Sequence, residues 1–311
     1  MTTLTSGAPP MTPDWERIAL GHGLGIPAAI GGDLTPESVL NAHLRGVFCL
    51  PRSAPEDIAD NEATYSPDVQ AGDIPLLAST TNPYSTLWWS PPTRYVLPTS
   101  EVTLGRTVRR TIRAHHWTTS VNEDFEGVLE ACRGSRKPRW ITPALTDSLH
   151  VLHDQGWIHS IEVWEDNHLI GGLFGFALHK VFVMSSAFHT RPDAAKIAIA
   201  DLARRTTAGS IRLLDAQVKT DYTLRLGARG IPRDEYQQWL TPAQPEPGRL
   251  TTGREHAGCL LPAPAPAALL PQPEHADGGH AVHQTQRNSQ AEVSEAACLA
   301  SSQPAHRKGQ T

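Results

Sequence analysis

Two polar residues near position 215 have types and a spacing that suit the handling of an amine. Asp215 and Gln217 lie in the apolar run Ile211 to Val218, which predicts a β-strand. Side chains two apart on a strand point to the same face, so both can contact one substrate group. The Gln217 amide is not basic, so it would orient the amine or stabilise developing charge, while Asp215 would hold the amine or accept its proton. Local hydrogen bonding alone is the alternative.

A second pattern is a row of arginines with helical spacing. They occur at i, i+3, i+4 and i+7 with no acidic residue between them, as Arg106, Arg109, Arg110 and Arg113. This spacing places four guanidinium groups on one face of a predicted helix, Thr103 to Ala114. Such a face attracts phosphate and could hold an RNA stem without reading its sequence. An ordinary solvated helix face is the alternative.

Composition narrows the class of protein. The 311 residues include 27 Lys plus Arg and 32 Asp plus Glu, so an anionic partner must be met by a local basic patch. No apolar run approaches the roughly 20 residues that cross a bilayer, which predicts a soluble protein. The histidines are dispersed, so no metal site is expected. Scattered cysteines with no secretory leader predict reduced thiols in the cytoplasm: Cys49, Cys132, Cys259 and Cys298.

The periodicity of the chain predicts an α+β fold. Thr35 is a predicted cap for a helix that extends to about Arg45, whereas Pro51 to Asn82 shows little periodicity and is interpreted as a surface loop. Further helices are predicted over Phe125 to Cys132, Thr142 to Gln155 and Ala194 to Arg205. A hairpin is predicted from Ser160 to Ala177 about an Asp166-Asn167 turn, followed by a strand at Lys180 to Ser186.

These elements suggest four regions along the chain. Residues 1–15 and 241–311 are rich in Pro, Gly and polar residues and are predicted to be disordered. Residues 16–98 would form a smaller N-terminal domain with a loop excursion, and residues 99–240 would form the catalytic domain.

Several motifs, in order and in register, resemble the leucyl/phenylalanyl-tRNA–protein transferase family. They cover roughly residues 26–240 and read GGDLTP at 31–36, LWWSP at 87–91, WIT at 140–142, HSIEVW at 159–164, GGLFG at 171–175 and LDAQ at 214–217. The resemblance implies a GNAT-like acyltransferase domain that uses no metal or dissociable cofactor. It implies an enzyme that moves Leu, Phe or Met from aminoacyl-tRNA to the N-terminal Arg or Lys of a protein, which marks that protein for degradation under the N-end rule. The partners that the resemblance implies are aminoacyl-tRNA and such a protein, with no membrane, and it implies a monomer.

The same resemblance implies roles for individual residues. Asp215 and Gln217 match the catalytic pair, the arginine helix matches a tRNA-binding helix, and Trp140 matches a tryptophan that stacks on the terminal adenosine. The donor side chain is expected in a pocket formed by Leu173, Phe182, Leu202, Leu214 and Ser185. Glycines at 171, 172 and 175 could let a ligand approach the backbone, or could mark bulges.

Two positions depart from the family pattern. Leu50 stands where the family has a tryptophan that flanks the adenosine, and Ser185 stands where it has a glutamate. These changes leave two alternatives open. One is a diverged tRNA-dependent transferase that acylates a small amine or a specialised peptide, and the other is a catalytically weak tRNA-binding protein.

Overall fold

The computed structural model describes residues 13–21, 25–134, 139–206, 211–240 and 246–262. The helices within them are α1 (Trp15–Ala19), α2 (Pro36–His43), α3 (Pro55–Ala71), α4 (Arg106–Ala114), α5 (Phe125–Gly134), α6 (Pro143–Asp154), α7 (Ala194–Arg205), α8 (Asp221–Arg225) and α9 (Arg233–Leu240). The strands are β1 (Ala29–Gly31), β2 (Phe48–Pro51), β3 (Leu76–Leu77), β4 (Thr86–Trp89), β5 (Thr93–Pro98), β6 (Thr118–Val121), β7 (Ile158–Glu165), β8 (His168–Leu178), β9 (Val181–His189), β10 (Leu213–Asp215), β11 (Arg229–Pro232) and β12 (Glu255–His256).

The first part of the chain forms a four-stranded sheet in the order β2-β4-β1-β3. Helix α2 precedes β2 and begins as the sequence predicts, because the Thr35 side chain accepts a hydrogen bond from the Ser38 backbone at 3.2 Å and Pro36 takes the first turn. The helix ends at His43, two residues before the expected end, and Gly46 then adopts a positive φ of 77°. The turn at Gly46 directs the chain from α2 into β2.

The region Pro51 to Asn82 is not the loop that its composition suggested. Helix α3 occupies 17 of its residues, with Pro55 in the first turn and Gly72 ending the helix at φ 82°. Only Asn61 and Tyr65 of this helix are buried, so most of its surface is polar and the apolar periodicity is weak. Asn61 donates to the Tyr84 carbonyl at 2.9 Å, which ties the helix to the turn at Pro83–Ser85 that precedes β4.

The second sheet has eight strands in the order β11-β5-β10-β9-β8-β7-β6-β12. Its centre is the antiparallel series β7-β8-β9, and the turn at Asp166 with φ 55° confirms the predicted hairpin. Strand β10 then pairs parallel to β9 after the crossover through α7. Helices together with antiparallel and parallel pairs make the chain α+β, as expected.

Separate apolar clusters cover the two faces of this large sheet. One face packs against α2, α5, α6 and α9, with Phe174 and Phe176 of β8 among the buried residues. The other face packs against α4 and α7, with Leu173 of β8 in that cluster. Neighbouring residues of a strand therefore belong to different layers, as strand geometry requires.

The structure differs from the sequence-based expectation at two boundaries, the end of the N-terminal domain and the start of the C-terminal tail. Strand β5 belongs to the large sheet rather than to the N-terminal sheet, because it pairs with β10 and β11, so the second region begins before residue 99. Residues 246–262, placed in the expected tail, pack on the sheet: Gly248 donates to the Ala177 carbonyl at 2.8 Å, and Ala257 is fully buried. Residues 1–12 and 263–311 lie outside the described part of the chain.

Candidate active site

Strand β10 ends at Asp215, so Gln217 is not on the strand with it. Gln217 has a left-handed φ of 64°, and its backbone N–H donates to Asp215 Oδ1 at 2.7 Å. The prediction that both side chains point to one face by strand alternation was therefore wrong in its geometry. The two residues are joined instead by a hydrogen bond that holds Gln217 in an uncommon conformation, of the kind often found at functional sites.

The Asp215 carboxylate is fully buried and surrounded by donors. Its Oδ2 atom accepts a very short bond from Arg94 Nη2 and a 2.6 Å bond from the Tyr236 hydroxyl. Arg94 also donates to the Gly46 carbonyl at 3.2 Å and lies over the Phe48 and Tyr236 rings, at 5.1 and 4.6 Å from their centroids. Both carboxylate oxygens are thus engaged.

Burial and charge act together on these groups. Burial alone would lower the pKa of Arg94, but the adjacent Asp215 carboxylate and Tyr236 outweigh it, and the pKa rises. The pKa of Tyr236 is raised well above its usual value by burial and by the same carboxylate. The arginine therefore stays charged and the phenol stays neutral, and both donate hydrogen bonds to the buried Asp215 side chain.

Gln217 lines a small cavity between the two sheets. The wall comes from α2, β2, α6 and the large sheet, and it consists of Val39, His43, Phe48, Cys49, Leu50, Trp140, Leu145, Leu149, Phe174, Phe176, Ser185 and Gln217. Asp215 is not among these residues. The cavity volume is about 10 Å³, room for about one water molecule, so any larger ligand must widen it.

Two polar groups in this wall have no hydrogen-bond partner within the described residues. They are the Ser185 hydroxyl and the Trp140 indole N–H, both buried. A buried donor without a partner lowers the stability of the fold by about 1–3 kcal/mol. Groups of this kind therefore commonly bind a ligand or a water molecule. With Gln217, they make the apolar cavity a suitable place for an ester or amine.

A β-bulge explains why Ser185 faces the cavity. Phe174 pairs with Ser186 and Gly175 pairs with Met184, so Ser185 is the extra residue of β9. A Cβ on Gly175 would lie 2.0 Å from the Val183 carbonyl oxygen, so the bulge requires glycine there. Cβ atoms on Gly171 and Gly172 would likewise meet Ala194 and Ile161, at 2.6 and 2.7 Å. Gly175 therefore lies at a bulge, the alternative to ligand approach that the sequence left open, and Gly171 and Gly172 permit close packing.

The five residues expected to form the donor pocket do not line one pocket. Ser185 faces the cavity, whereas four apolar residues lie fully buried in the cluster that packs against α7: Leu173, Phe182, Leu202 and Leu214. The reason is strand alternation, since Leu214 directly precedes Asp215 and points to the opposite face of the sheet.

The residues expected to bind tRNA lie in two separate places, the cavity wall and the exposed face of α4. Trp140 lines the cavity and packs nearly parallel to Phe174, with ring centroids 6.4 Å apart, so its ring is not the exposed platform that stacking needs. All four arginines of α4 are exposed, and none forms a salt bridge within the described residues. The buried residues of α4, Val108 and Ile112, belong to the cluster on the α7 face. The arginine face is therefore not part of the cavity.

Sequence reasoning missed three residues of this region: His43, Arg94 and Tyr236. Arg94 carried an available signal, because a lone charge in a buried strand needs a partner, and Asp215 is that partner. His43 and Tyr236 gave no such signal, since each lies on a short helix whose packing cannot be predicted from spacing alone.

Within the described residues no group of three or more His, Cys, Asp or Glu side chains could hold a metal ion. No helix of this part of the chain is long and apolar enough to span a membrane.

Comparison with known proteins identifies the family of this chain. The family model for leucyl/phenylalanyl-tRNA–protein transferases matches residues 96–241. The transferase of that name from Nitrosomonas eutropha is 33% identical over 226 residues, which cover 71% of this chain and 84% of its own. Those of Nitratidesulfovibrio vulgaris and Cellvibrio japonicus are 35% and 34% identical, with 71% and 72% of this chain and 84% of each relative covered. The chain belongs to this family of aminoacyltransferases.

Proposed function

We propose that this protein transfers Leu, Phe or Met from aminoacyl-tRNA to the α-amine of a protein that begins with Arg or Lys, and so marks that protein for degradation. Family membership supports the proposal, since the relatives' name gives leucyl- or phenylalanyl-tRNA as the donor and a protein as the acceptor. The observation that carries the proposal is the cavity in which Gln217, Ser185 and Trp140 present polar groups within an apolar wall.

The main requirement of this reaction is that the protein holds the ester and the amine in position. An aminoacyl ester is already activated, so the amine nitrogen attacks the carbonyl carbon, the carbon–oxygen bond to ribose breaks, and a ribose hydroxyl leaves. Holding the two groups together supplies much of the rate. Gln217 orients the amine or the developing oxyanion through its side-chain amide.

Asp215 acts on this reaction through Gln217. Its carboxylate is buried and already accepts bonds from Arg94, Tyr236 and the Gln217 backbone, so it fixes the conformation of the Gln217 loop. Asp215 is therefore a positioning residue, and the proton of the amine goes elsewhere.

The exposed arginines of α4 bind the tRNA body. They face solvent on the side of the large sheet away from the cavity, so the tRNA must pass around the sheet edge to place its 3′ end beside Gln217. Phosphate contacts of this kind position an RNA without selecting its sequence.

A GNAT-like acyltransferase fold is the finer assignment for the second region. The antiparallel series β7-β8-β9, the crossover helix α7 and the parallel pair of β9 with β10 support it. Asp215 ends β10, so the site lies at the end of this parallel strand.

Mass spectrometry of one peptide tests the proposal. An Arg-initiated peptide mixed with leucyl- or phenylalanyl-tRNA and the purified protein should gain one Leu or Phe at its N-terminus, while an acetylated copy should not. Gln217→Ala should lose most of this product, whereas Gln238→Ala, which changes an exposed glutamine on α9, should keep it. No product with any of several donors and acceptors would contradict the proposal.

A further inference from the structure

The cavity wall holds one more group that can take part in the reaction, the imidazole of His43. His43 lies at the end of α2, and its side chain lines the cavity with Gln217 and Ser185. It is 6% exposed and stacks on Phe176, with ring centroids 3.8 Å apart and an interplanar angle of 18°. Packing of this kind fixes the plane of the ring.

One hydrogen bond also fixes the tautomer. His43 Nδ1 lies 2.8 Å from the Val39 carbonyl oxygen, which can only accept, so Nδ1 carries the hydrogen. Nε2 is then an acceptor with a free lone pair, and no partner for it occurs within the described residues. A base that is oriented by a second hydrogen bond is the arrangement that general-base catalysis uses.

We propose that His43 is a catalytic residue, which takes the proton of the attacking amine through Nε2 and delivers it to the leaving ribose oxygen. This inference rests on the proposed function. As the nitrogen–carbon bond forms, the nitrogen becomes positive and releases its proton to Nε2. The same proton then moves to the ribose oxygen as the ester bond breaks, so His43 returns to its neutral form and no other reactant is needed.

The surroundings of His43 keep it ready to accept a proton. Burial is the main cause that lowers its pKa to about 4, and the positive charge of Arg94 on β5 contributes. The other titratable group in the cavity wall is Cys49 on β2, whose pKa burial raises to about 12, so it stays a neutral thiol. His43 is therefore unprotonated at neutral pH, and its weakness as a base is offset by the acidity of the nitrogen in the tetrahedral adduct.

Asp215 is the alternative group that could accept the proton of the amine, but its contacts make it less suitable. Its oxygens already accept three hydrogen bonds and it does not line the cavity. The His43 side chain does line the cavity, and its Nε2 has no hydrogen-bond partner within the described residues. His43 and Gln217 reach the cavity from α2 and from the end of β10, so the reacting amine can lie between them.

The test compares His43 with a second histidine of lowered pKa. His43→Gln keeps a polar side chain of similar length that cannot carry the proton. His159→Gln changes a half-buried histidine whose pKa is also lowered to about 4 but which does not line the cavity. We expect the His43 variant to lose about 100-fold or more in kcat with little change in KM for the tRNA. The His159 variant should stay within a few-fold of wild type.

Chemical rescue separates proton transfer from packing. His43→Ala removes the ring, and added imidazole should restore part of its rate; His43→Phe keeps the stacking on Phe176 and should not respond. Because solvent hydroxide can replace a missing base, the rate of His43→Gln should also keep rising with pH where the wild-type rate levels off.

The outcomes distinguish this inference from the proposed function. Wild-type protein that makes no product overturns both. Product from the wild type together with a His43→Gln variant within threefold of it, or a loss confined to KM, overturns the role of His43 alone. Failure of imidazole to restore any rate to a folded His43→Ala variant also overturns it.

Discussion

The trio of Arg94, Asp215 and Tyr236 shows how one buried charge can organise a site. Removing one partner of a buried ion pair leaves the other uncompensated, whereas replacing both with apolar residues is often tolerated. The sequence identified Asp215 and Gln217 through their motif, but not the reason for their arrangement, because Arg94 lies 121 positions before Asp215 and Tyr236 lies 21 after it. Contacts at such separations depend on the whole fold.

The ion pair predicts that stability and activity can be separated. Asp215→Leu alone should lower the free energy of unfolding by about 3–5 kcal/mol, because Arg94 is left buried without its partner. The double variant Arg94→Met with Asp215→Leu should recover most of that stability but little of the transferase activity, since Gln217 loses the acceptor of its backbone N–H. Chemical denaturation and peptide-product assays measure the two effects. Full recovery of activity in the double variant would show that Asp215 does not position Gln217.

His43 predicts a specific dependence of stability on pH. The pKa of His43 falls from 6.5 in the unfolded chain to about 4 in the folded protein. Between these pH values the unfolded chain binds a proton at His43 that the folded protein does not. The free energy of unfolding is therefore highest above pH 6.5 and decreases as the pH falls toward 4. His43→Gln should therefore have a flatter decrease of unfolding free energy between these pH values than the wild type. Urea unfolding at several pH values checks this. An identical slope in both proteins would mean that His43 titrates normally in the folded state.

Helices and strands show what local sequence patterns could and could not predict. Helix α7 and the β7-β8 hairpin agree with the spacing of their apolar residues, because each buries a regular face. Helix α3 was missed because it buries little, and the strand predicted over Ile211 to Val218 shrank to Leu213–Asp215 because the Gln217 loop follows. Elements stabilised by local periodicity were predictable, whereas those shaped by the site were not.

Helix α4 predicts a salt-dependent contribution to tRNA binding. Changing Arg109 and Arg113 to Gln should weaken tRNA binding at low salt and reduce the slope of log affinity against log salt by about 1 for each lost phosphate contact. The kcat at saturating tRNA should change little, because these residues are not part of the cavity. Arg17→Gln, which changes an exposed arginine on α1, is the matched control. Unchanged binding across the salt range would mean that the arginine face only contacts solvent.

Over the whole molecule, the candidate site exists only where the two sheets meet. Residues 39–50 from the first sheet and its helix close one side of the cavity, and residues 140–217 close the other. The α+β class and the family were predictable from ordered motifs, but this juxtaposition was not, and the apolar residues expected around the donor proved to lie on the opposite face of the large sheet. Since the cavity has a volume of about 10 Å³, substrate binding must separate the two regions or turn side chains between them.

The most direct measurement is a crystal structure of the protein with a stable amide analogue of leucyl-adenosine. We expect the ligand between the two sheets, with its carbonyl oxygen or amine within about 3 Å of Gln217 or Ser185 and with a wider cavity than in the free protein. A ligand bound on the α7 face, among Leu173, Phe182 and Leu202 and away from Gln217, would contradict the site described for this family member.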